Sequence, residues 1–139
     1  MASLQLILIR GLPGSGKTHK AGELRDRIGP RSSIMSADDF FYDGDGVYRY
    51  DPRLIAQAHA DCQVRTMCML AKGVTSIVHN NFVQQWEMEP YKAMALLAKA
   101  ELVVIDLFDA GLSDEQLAAR NVHGVPAETI RQMRANYQR

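Results

Sequence analysis

The sequence predicts an α/β fold of three layers, with helices on both faces of a central parallel sheet of about four to five strands. Two observations carry this. Four short β-like runs, residues 4 to 9, 32 to 36, 74 to 79 and 101 to 108, alternate with helical patterns, and such alternation pairs strands in parallel through right-handed crossovers. Directly after the first run, residues 11 to 18 read Gly-Leu-Pro-Gly-Ser-Gly-Lys-Thr, a complete phosphate-binding loop with a strand before it and a helix-compatible stretch behind it. At ordinary residue frequencies that pattern arises by chance in roughly half a per cent of chains this long.

Taken in order, the first strand is the apolar run Leu6-Ile7-Leu8-Ile9, and the loop after it identifies a nucleotide-binding protein. Gly11 and Gly16 let the backbone take turns closed to residues with a Cβ, so that successive N–H groups converge on phosphate at the start of a helix. Gly11, Pro13, Gly14, Ser15, Gly16, Lys17 and Thr18 are therefore the expected nucleotide-binding residues, ATP being the expected nucleotide although the loop reads phosphates and not the base. Lys17 reaches the β- and γ-phosphates, and the Thr18 hydroxyl completes a Mg²⁺ shell made mostly of water and phosphate oxygen. The first helix runs to about Ile28, where Gly29-Pro30 stops it.

After the second strand, residues 37 to 50 form the least regular part, rich in Asp, Gly and Tyr. Asp51 and Pro52 make an N-cap and first-turn pair for a second helix. Its apolar stripe is Ile55, Ala58, Cys62 and Met69, its polar face carries Gln57, Asp61 and Arg65, and Gly73 ends it. A third helix spans about residues 87 to 99. A capping box at Ser113 and Gln116 opens a fourth that ends near Asn121. Pro126 begins the last, whose Ile130, Met133 and Tyr137 face the core while Arg131 and Arg134 share a solvated face.

The 139 residues, 47% hydrophobic, suffice for one core and read as one domain over residues 1 to 139. Sixteen basic residues balance sixteen acidic ones, which excludes a global field that would hold polyanions nonspecifically; any nucleic-acid contact is a local patch. Cys62 and Cys68 lie on different faces of one helix, without metal spacing and unable to pair, as fits a reducing cytoplasm. No apolar stretch approaches a membrane span, and the N-terminus lacks a signal-peptide pattern, so a cytoplasmic location without membrane contact is expected.

Ligands of parallel sheets bind beyond the carboxyl ends of the strands, where the phosphate-binding loop, Asp38, residues 79 to 81 and Asp109 should gather. Phosphoryl transfer to an alcohol needs a carboxylate beside the γ-phosphate to orient the hydroxyl and take its proton, and Asp38 is the candidate base. The alternative is that Asp38-Asp39 caps a turn. Arg49, between Tyr48 and Tyr50, is a candidate substrate clamp, since alternation in an extended segment sets the rings on the opposite face. His59 is a candidate substrate ligand or a structural helix histidine. Trp86 and Tyr91 either pack or offer a stacking platform to a base. Asp106 and Asp109 end or follow the fourth strand, one of them a candidate for outer-shell contact with Mg²⁺.

Several segments resemble the small P-loop kinases typified by bacteriophage polynucleotide 5′-kinase and its bacterial and eukaryotic relatives. The likeness runs through the phosphate-binding loop, Ser36-Ala37-Asp38-Asp39-Phe40-Phe41, Val47 to Pro52 with Ala58-His59, Asn80, Trp86 to Tyr91, and Arg120 to Pro126. It implies a P-loop NTPase fold of the nucleotide-kinase type with a helical lid, Asp38 as general base, and a lid arginine that falls on Arg120 and stabilises charge on the transferred phosphoryl. Lys17, Asp38 and Arg120 are then the expected catalytic residues, and Arg49, His59 and Asn80 the expected substrate-binding ones.

The implied activity is transfer of the γ-phosphate of Mg-ATP to a polynucleotide 5′-OH or nucleotide-like acceptor. Two departures keep alternatives open. The phage enzyme has a basic residue three positions after the catalytic Asp, touching substrate phosphate, where this chain has Phe41; that favours a small hydroxyl substrate. The segment after the third strand commonly carries Asp, and here reads His79-Asn80-Asn81-Phe82, so Asn80 orients rather than ionises. The missing carboxylate leaves open a non-catalytic ATP-binding switch.

Overall fold

In a computed structural model, which describes residues 3–139, four strands form one sheet. They are β1 (Gln5–Arg10), β2 (Ser32–Met35), β3 (Thr75–His79) and β4 (Glu101–Asp106), all parallel, in the order β2-β3-β1-β4. Five helices, α1 (Lys17–Ile28), α2 (Ile55–Ala71), α3 (Glu89–Ala98), α4 (Asp114–Arg120) and α5 (Ala127–Asn136), complete the regular structure with three short 3-10 turns. The expected parallel sheet is present, with four strands.

β1 lies between β3 and β4, so both its faces are covered and its apolar run is continuous. The strand's period of two then sorts that run between layers. Leu6 and Leu8 pack with Ala58, Cys62 and Leu70 of α2 and with Tyr91, Met94 and Ala95 of α3. Ile7 and Ile9 pack with Ala21, Leu24 and Ile28 of α1 on the other face. Each such buried side chain contributes about 1.5–3 kcal/mol relative to exposure. A third cluster, Leu12, Leu117 and Ile130 with Phe108, Met133 and Tyr137, fastens α4 and α5 onto the phosphate-binding loop.

Several elements differ from expectation for identifiable reasons. β4 stops at Asp106, two residues early, because the Asp106 carboxylate accepts from the Phe108 N–H and Phe108 has φ 49°, which takes the chain out of the sheet. Asp51 caps a 3-10 turn, Pro52–Leu54, that leads into α2. The buried stripe of α2 is Ala58, Cys62, Thr66 and Leu70; Ile55 is 39% exposed because the first turn of α2 lies past the sheet, beside the cavity described below. The third helix is preceded by a 3-10 turn, Gln85–Met88. Its Trp86 does not pack and is 67% exposed, whereas Tyr91 is buried against Phe82. Nor are Arg131 and Arg134 a freely solvated face: Arg134 donates to the carboxylates of Asp109 and Asp114 and to the Leu112 carbonyl, and Arg131 pairs with Glu128 and Glu115.

One buried charge escaped sequence reading. Arg10, at the end of β1, donates to the Phe82 and Val83 carbonyls, pairs with Asp106 at 3.5 Å, and lies under the Tyr137 ring at 4.4 Å. Tyr137 in turn donates to Asp106 at 2.7 Å, so the arginine joins β1, β4 and the end of α5.

Candidate active site

At the carboxyl end of the sheet lies a cavity of ≈ 730 Å³. Among the residues that line it are Pro13, Gly14, Gly16, Lys17, Thr18, Asp38, His59, Asn80 and Arg120. The two separated halves of the sequence expectation, phosphate-binding loop and Asp38, thus meet in one place.

The loop is built as an anion cradle. Gly14 has φ 82° and Gly16 φ 101°, conformations that favour glycine. A Cβ on Gly11 would come within 2.5 Å of Ser15 Oγ, itself buried and without a hydrogen-bond partner. Helix α1 opens at Lys17 with no side-chain cap, leaving its first-turn N–H groups without intrahelical acceptors. Lys17 Nζ donates to the Gly11 and Leu12 carbonyls at 2.8 and 3.0 Å and to Asn81 Oδ1 at 3.1 Å. Burial lowers its pKa to about 8, against the opposing pull of Asp38. Free N–H groups, an orphan hydroxyl and a desolvated ammonium fit a bound phosphate chain. Thr18 is exposed beside them. No group of three or more His, Cys, Asp or Glu able to hold a metal occurs among the described residues, so a cation here would draw most of its ligands from phosphate and water.

The Asp pair divides its labour. Asp39 takes the capping alternative: its carboxylate accepts from the Ser36 N–H and Ser36 Oγ across the 3-10 turn Ala37–Phe41 and pairs with Arg65 of α2. That leaves Asp38 facing the cavity. The Tyr48 hydroxyl donates to its Oδ1 at 2.9 Å, and His123 Nδ1 stands 3.3 Å from its Oδ2. Burial pushes the Tyr48 hydroxyl well above its usual range, and the bond to Asp38 adds to the effect.

Arg120, the last residue of α4, is exposed and lines the cavity, and its guanidinium has no hydrogen bond or ion pair among the described residues. The connection it begins is braced by Asn121, whose amide donates to the Leu117, Ala118 and Val125 carbonyls and accepts from the His123 and Val125 N–H groups. His59 lines the cavity from α2. Asn80 is buried, with Oδ1 accepting from the Ala37 N–H at 2.9 Å, and so anchors the turn that carries Asp38. Arg49 departs from expectation. It is 70% exposed, paired with Asp43 at 2.7 Å, and lines no part of the cavity; Tyr48 and Tyr50, on the opposite face of the same segment, do. Neither Asp106 nor Asp109 lines it either; both hold α5 through Arg10, Tyr137 and Arg134.

Residues 79 to 81 line the cavity as expected, whereas sequence reasoning nominated neither Tyr48 nor Glu87 for it, and both line it. The signal for Tyr48 was present in the Tyr-Arg-Tyr alternation, read with the wrong face inward. Burial also depresses the pKa of His79, at the end of β3, so that this cavity wall carries a predominantly neutral ring near neutral pH.

A glycine-rich loop between strand and helix at the carboxyl end of a parallel sheet, with helices on both faces, defines a P-loop α/β domain of kinase type. The chain belongs to the family of the AAA domain designated AAA_33, whose model matches residues 6–139. It is 37% identical over 138 residues to NEDD4-binding protein 2 of Homo sapiens, a match covering 98% of this chain and 8% of that protein. A 40-residue stretch is 48% identical to YLP motif-containing protein 1 of Homo sapiens, covering 26% of this chain and 2% of that one. The chain thus spans a small fraction of these relatives' length.

Solved structures share the fold. A chain of the Pnkp1/Rnl/Hen1 RNA repair complex superposes with TM-score 0.75 at 16% identity, covering 98% of this chain and 44% of that one. The APS kinase CysC of Mycobacterium tuberculosis gives TM-score 0.62 at 11% identity, over 81% of this chain and 80% of that one. A putative kinase from Chloroflexus aurantiacus gives 0.63 at 22% identity, over 98% and 80%. No helix among the described residues is long and apolar enough to cross a membrane.

Proposed function

We propose that this chain transfers the γ-phosphoryl group of ATP, with Mg²⁺, to a hydroxyl of a polynucleotide 5′ end or a nucleotide-like molecule. The observation that carries the reading is the meeting of Lys17 and Asp38 in one cavity, close enough that the Asp38 charge acts on the ammonium. Lys17 and the N–H groups of the loop hold the phosphate chain, Thr18 offers its hydroxyl to the cation, and Arg120 neutralises charge gathering on the transferred group. When bound, Mg²⁺ supplies charge neutralisation at the β- and γ-phosphate oxygens. Asp38 accepts the proton of the acceptor hydroxyl as its oxygen bonds to the γ-phosphorus; the bond from that phosphorus to the β,γ-bridging oxygen breaks, and ADP leaves.

A second reading, a small hydroxyl-bearing molecule as acceptor, is favoured by a specific observation. Among the described residues Lys17 and Arg120 are the sole Lys or Arg lining the cavity, Phe41 is buried, and Arg49 is turned away. Transfer of label from γ-labelled Mg-ATP to 5′-OH DNA and RNA oligonucleotides, mononucleosides and a metabolite extract separates the two. Labelled oligonucleotides or nucleosides, with label lost in Asp38→Asn, support the first; label confined to the extract supports the second. ATP binding with no labelled acceptor would overturn both in favour of an ATP-binding switch.

A further inference from the structure

Both oxygens of the Asp38 carboxylate already have partners, and these come from different parts of the chain. Tyr48, in the irregular segment before α2, donates its hydroxyl to Oδ1 at 2.9 Å. His123, from the connection between α4 and α5, brings Nδ1 to 3.3 Å from Oδ2. The two partners support one another, since the imidazole stacks on the Tyr48 ring with centroids 4.3 Å apart and planes 27° from parallel. His123 Nε2 lies 3.3 Å from the hydroxyl of Tyr42, and Tyr42 is held to Tyr48 by a backbone bridge.

These contacts hold the imidazole in place: Nδ1 faces the Asp38 carboxylate at ion-pair distance, and Nε2 faces the Tyr42 hydroxyl, with the donor in that second contact set by the tautomer. The backbone that presents His123 is fixed as well. Asn121 closes the turn from both sides of its amide, and Gly124, at φ 74°, lets the chain reverse. A built chain of contacts thus runs Tyr42, His123, Asp38, Tyr48 and ends on the carboxylate proposed as the base. An oxygen with one donor keeps a lone pair for an acceptor hydroxyl.

We propose that His123 is a positioning residue for phosphoryl transfer: with Tyr48 it grips Asp38 from two sides and sets the direction of the free lone pair. Because His123 sits three residues after Arg120 on the same braced connection, the grip also fixes the base relative to the arginine above the phosphates. This inference rests on the reading of Asp38 as general base.

The test follows conversion of Mg-ATP to ADP by the 139-residue chain, with a 5′-OH DNA oligonucleotide, adenosine or water as acceptor. His123→Phe keeps a ring on Tyr48 but removes the ring nitrogen beside Asp38; His123→Asn keeps an amide nitrogen near the position of Nδ1. Loss of the imidazole contact with the carboxylate predicts a kcat about tenfold lower in His123→Phe, with KM for ATP unchanged and substantial recovery in His123→Asn. Tyr48→Phe, which deletes one oxygen, lowers kcat likewise, and the double variant falls by less than the product of the singles. Wild-type kcat in His123→Phe, with Asp38→Asn inactive, overturns the role of His123 and leaves the base intact. Full turnover in Asp38→Asn, or none in the wild type, overturns the reading of Asp38 and this assignment with it.

Discussion

Lys17 is the residue at which the chemistry of the phosphate-binding loop can be measured without any acceptor. Its ammonium is folded back on two loop carbonyls and Asn81 and titrates near 8 rather than the 10.5 of a solvated lysine. Below pH 8 both folded and unfolded chains hold the proton, and folding suffers the full desolvation cost. Between pH 8 and 10.5 the unfolded chain binds more protons, so stability rises with pH there. The gain is at most roughly 3 kcal/mol over the window. Urea unfolding of the nucleotide-free chain should show this rise, and Lys17→Met should flatten it; identical pH profiles for the two proteins would mean that Lys17 is solvated. At the same scale, the sequence made Lys17 and Asp38 legible because motif and strand end fix them locally. It named Asp38 over Asp39 but not what keeps Asp39 out of the cavity, since that capping depends on Ser36 and on Arg65 from α2. It assigned Arg49 inward because alternation gives two faces without saying which is the cavity; Asp43, six residues earlier, decides that by pairing with the guanidinium.

The junction between the phosphate-binding loop and α4 is the element-scale feature that most directly orders the site. A Cβ on Gly14 would lie 2.4 Å from the Leu117 carbonyl oxygen, a backbone atom that cannot swing aside, and Gly14 also has φ 82°. Gly14→Ala should therefore destabilise by about 2–4 kcal/mol, combining left-handed strain with overpacking. Gly16 has φ 101° but open space around it, so Gly16→Ala should cost only the strain, about 1–2 kcal/mol. Urea midpoints for the two variants check the difference, and equal losses would mean that α4 does not rest on the loop. The sequence announced α4 through its Ser113 and Gln116 capping box, which forms as read, and α5 through Pro126 and its apolar spacing. It could not announce that α4 rests on a glycine some hundred residues earlier, because that contact belongs to no local pattern. The same holds for the Arg10 junction of β1, β4 and α5, where a charged residue at a strand end would ordinarily point to solvent.

For the whole molecule, charge limits what kind of acceptor can be held. Positive and negative residues balance, and the arginines at positions 10, 49, 53, 65, 131 and 134 are paired with carboxylates of the chain itself. Around the cavity this leaves Lys17 and Arg120 to meet a polyanion. Two phosphate contacts on a single strand give a slope of about −1.4 in log affinity against log salt, so raising salt from about 50 to 200 mM should weaken a 5′-OH oligonucleotide by less than about tenfold. Anisotropy titrations with a labelled oligonucleotide measure this directly. A chain that grips a strand through six phosphates would instead lose more than about a hundredfold over the same range, and that result would require a basic surface away from the cavity. A shallow slope leaves recognition to the groups beside Asp38, which are aromatic rings and neutral polar side chains. In that case discrimination between a nucleic-acid end and a free nucleoside rests on the fit of one terminal residue against Tyr48, Tyr50 and His59, and the strand beyond it contributes little.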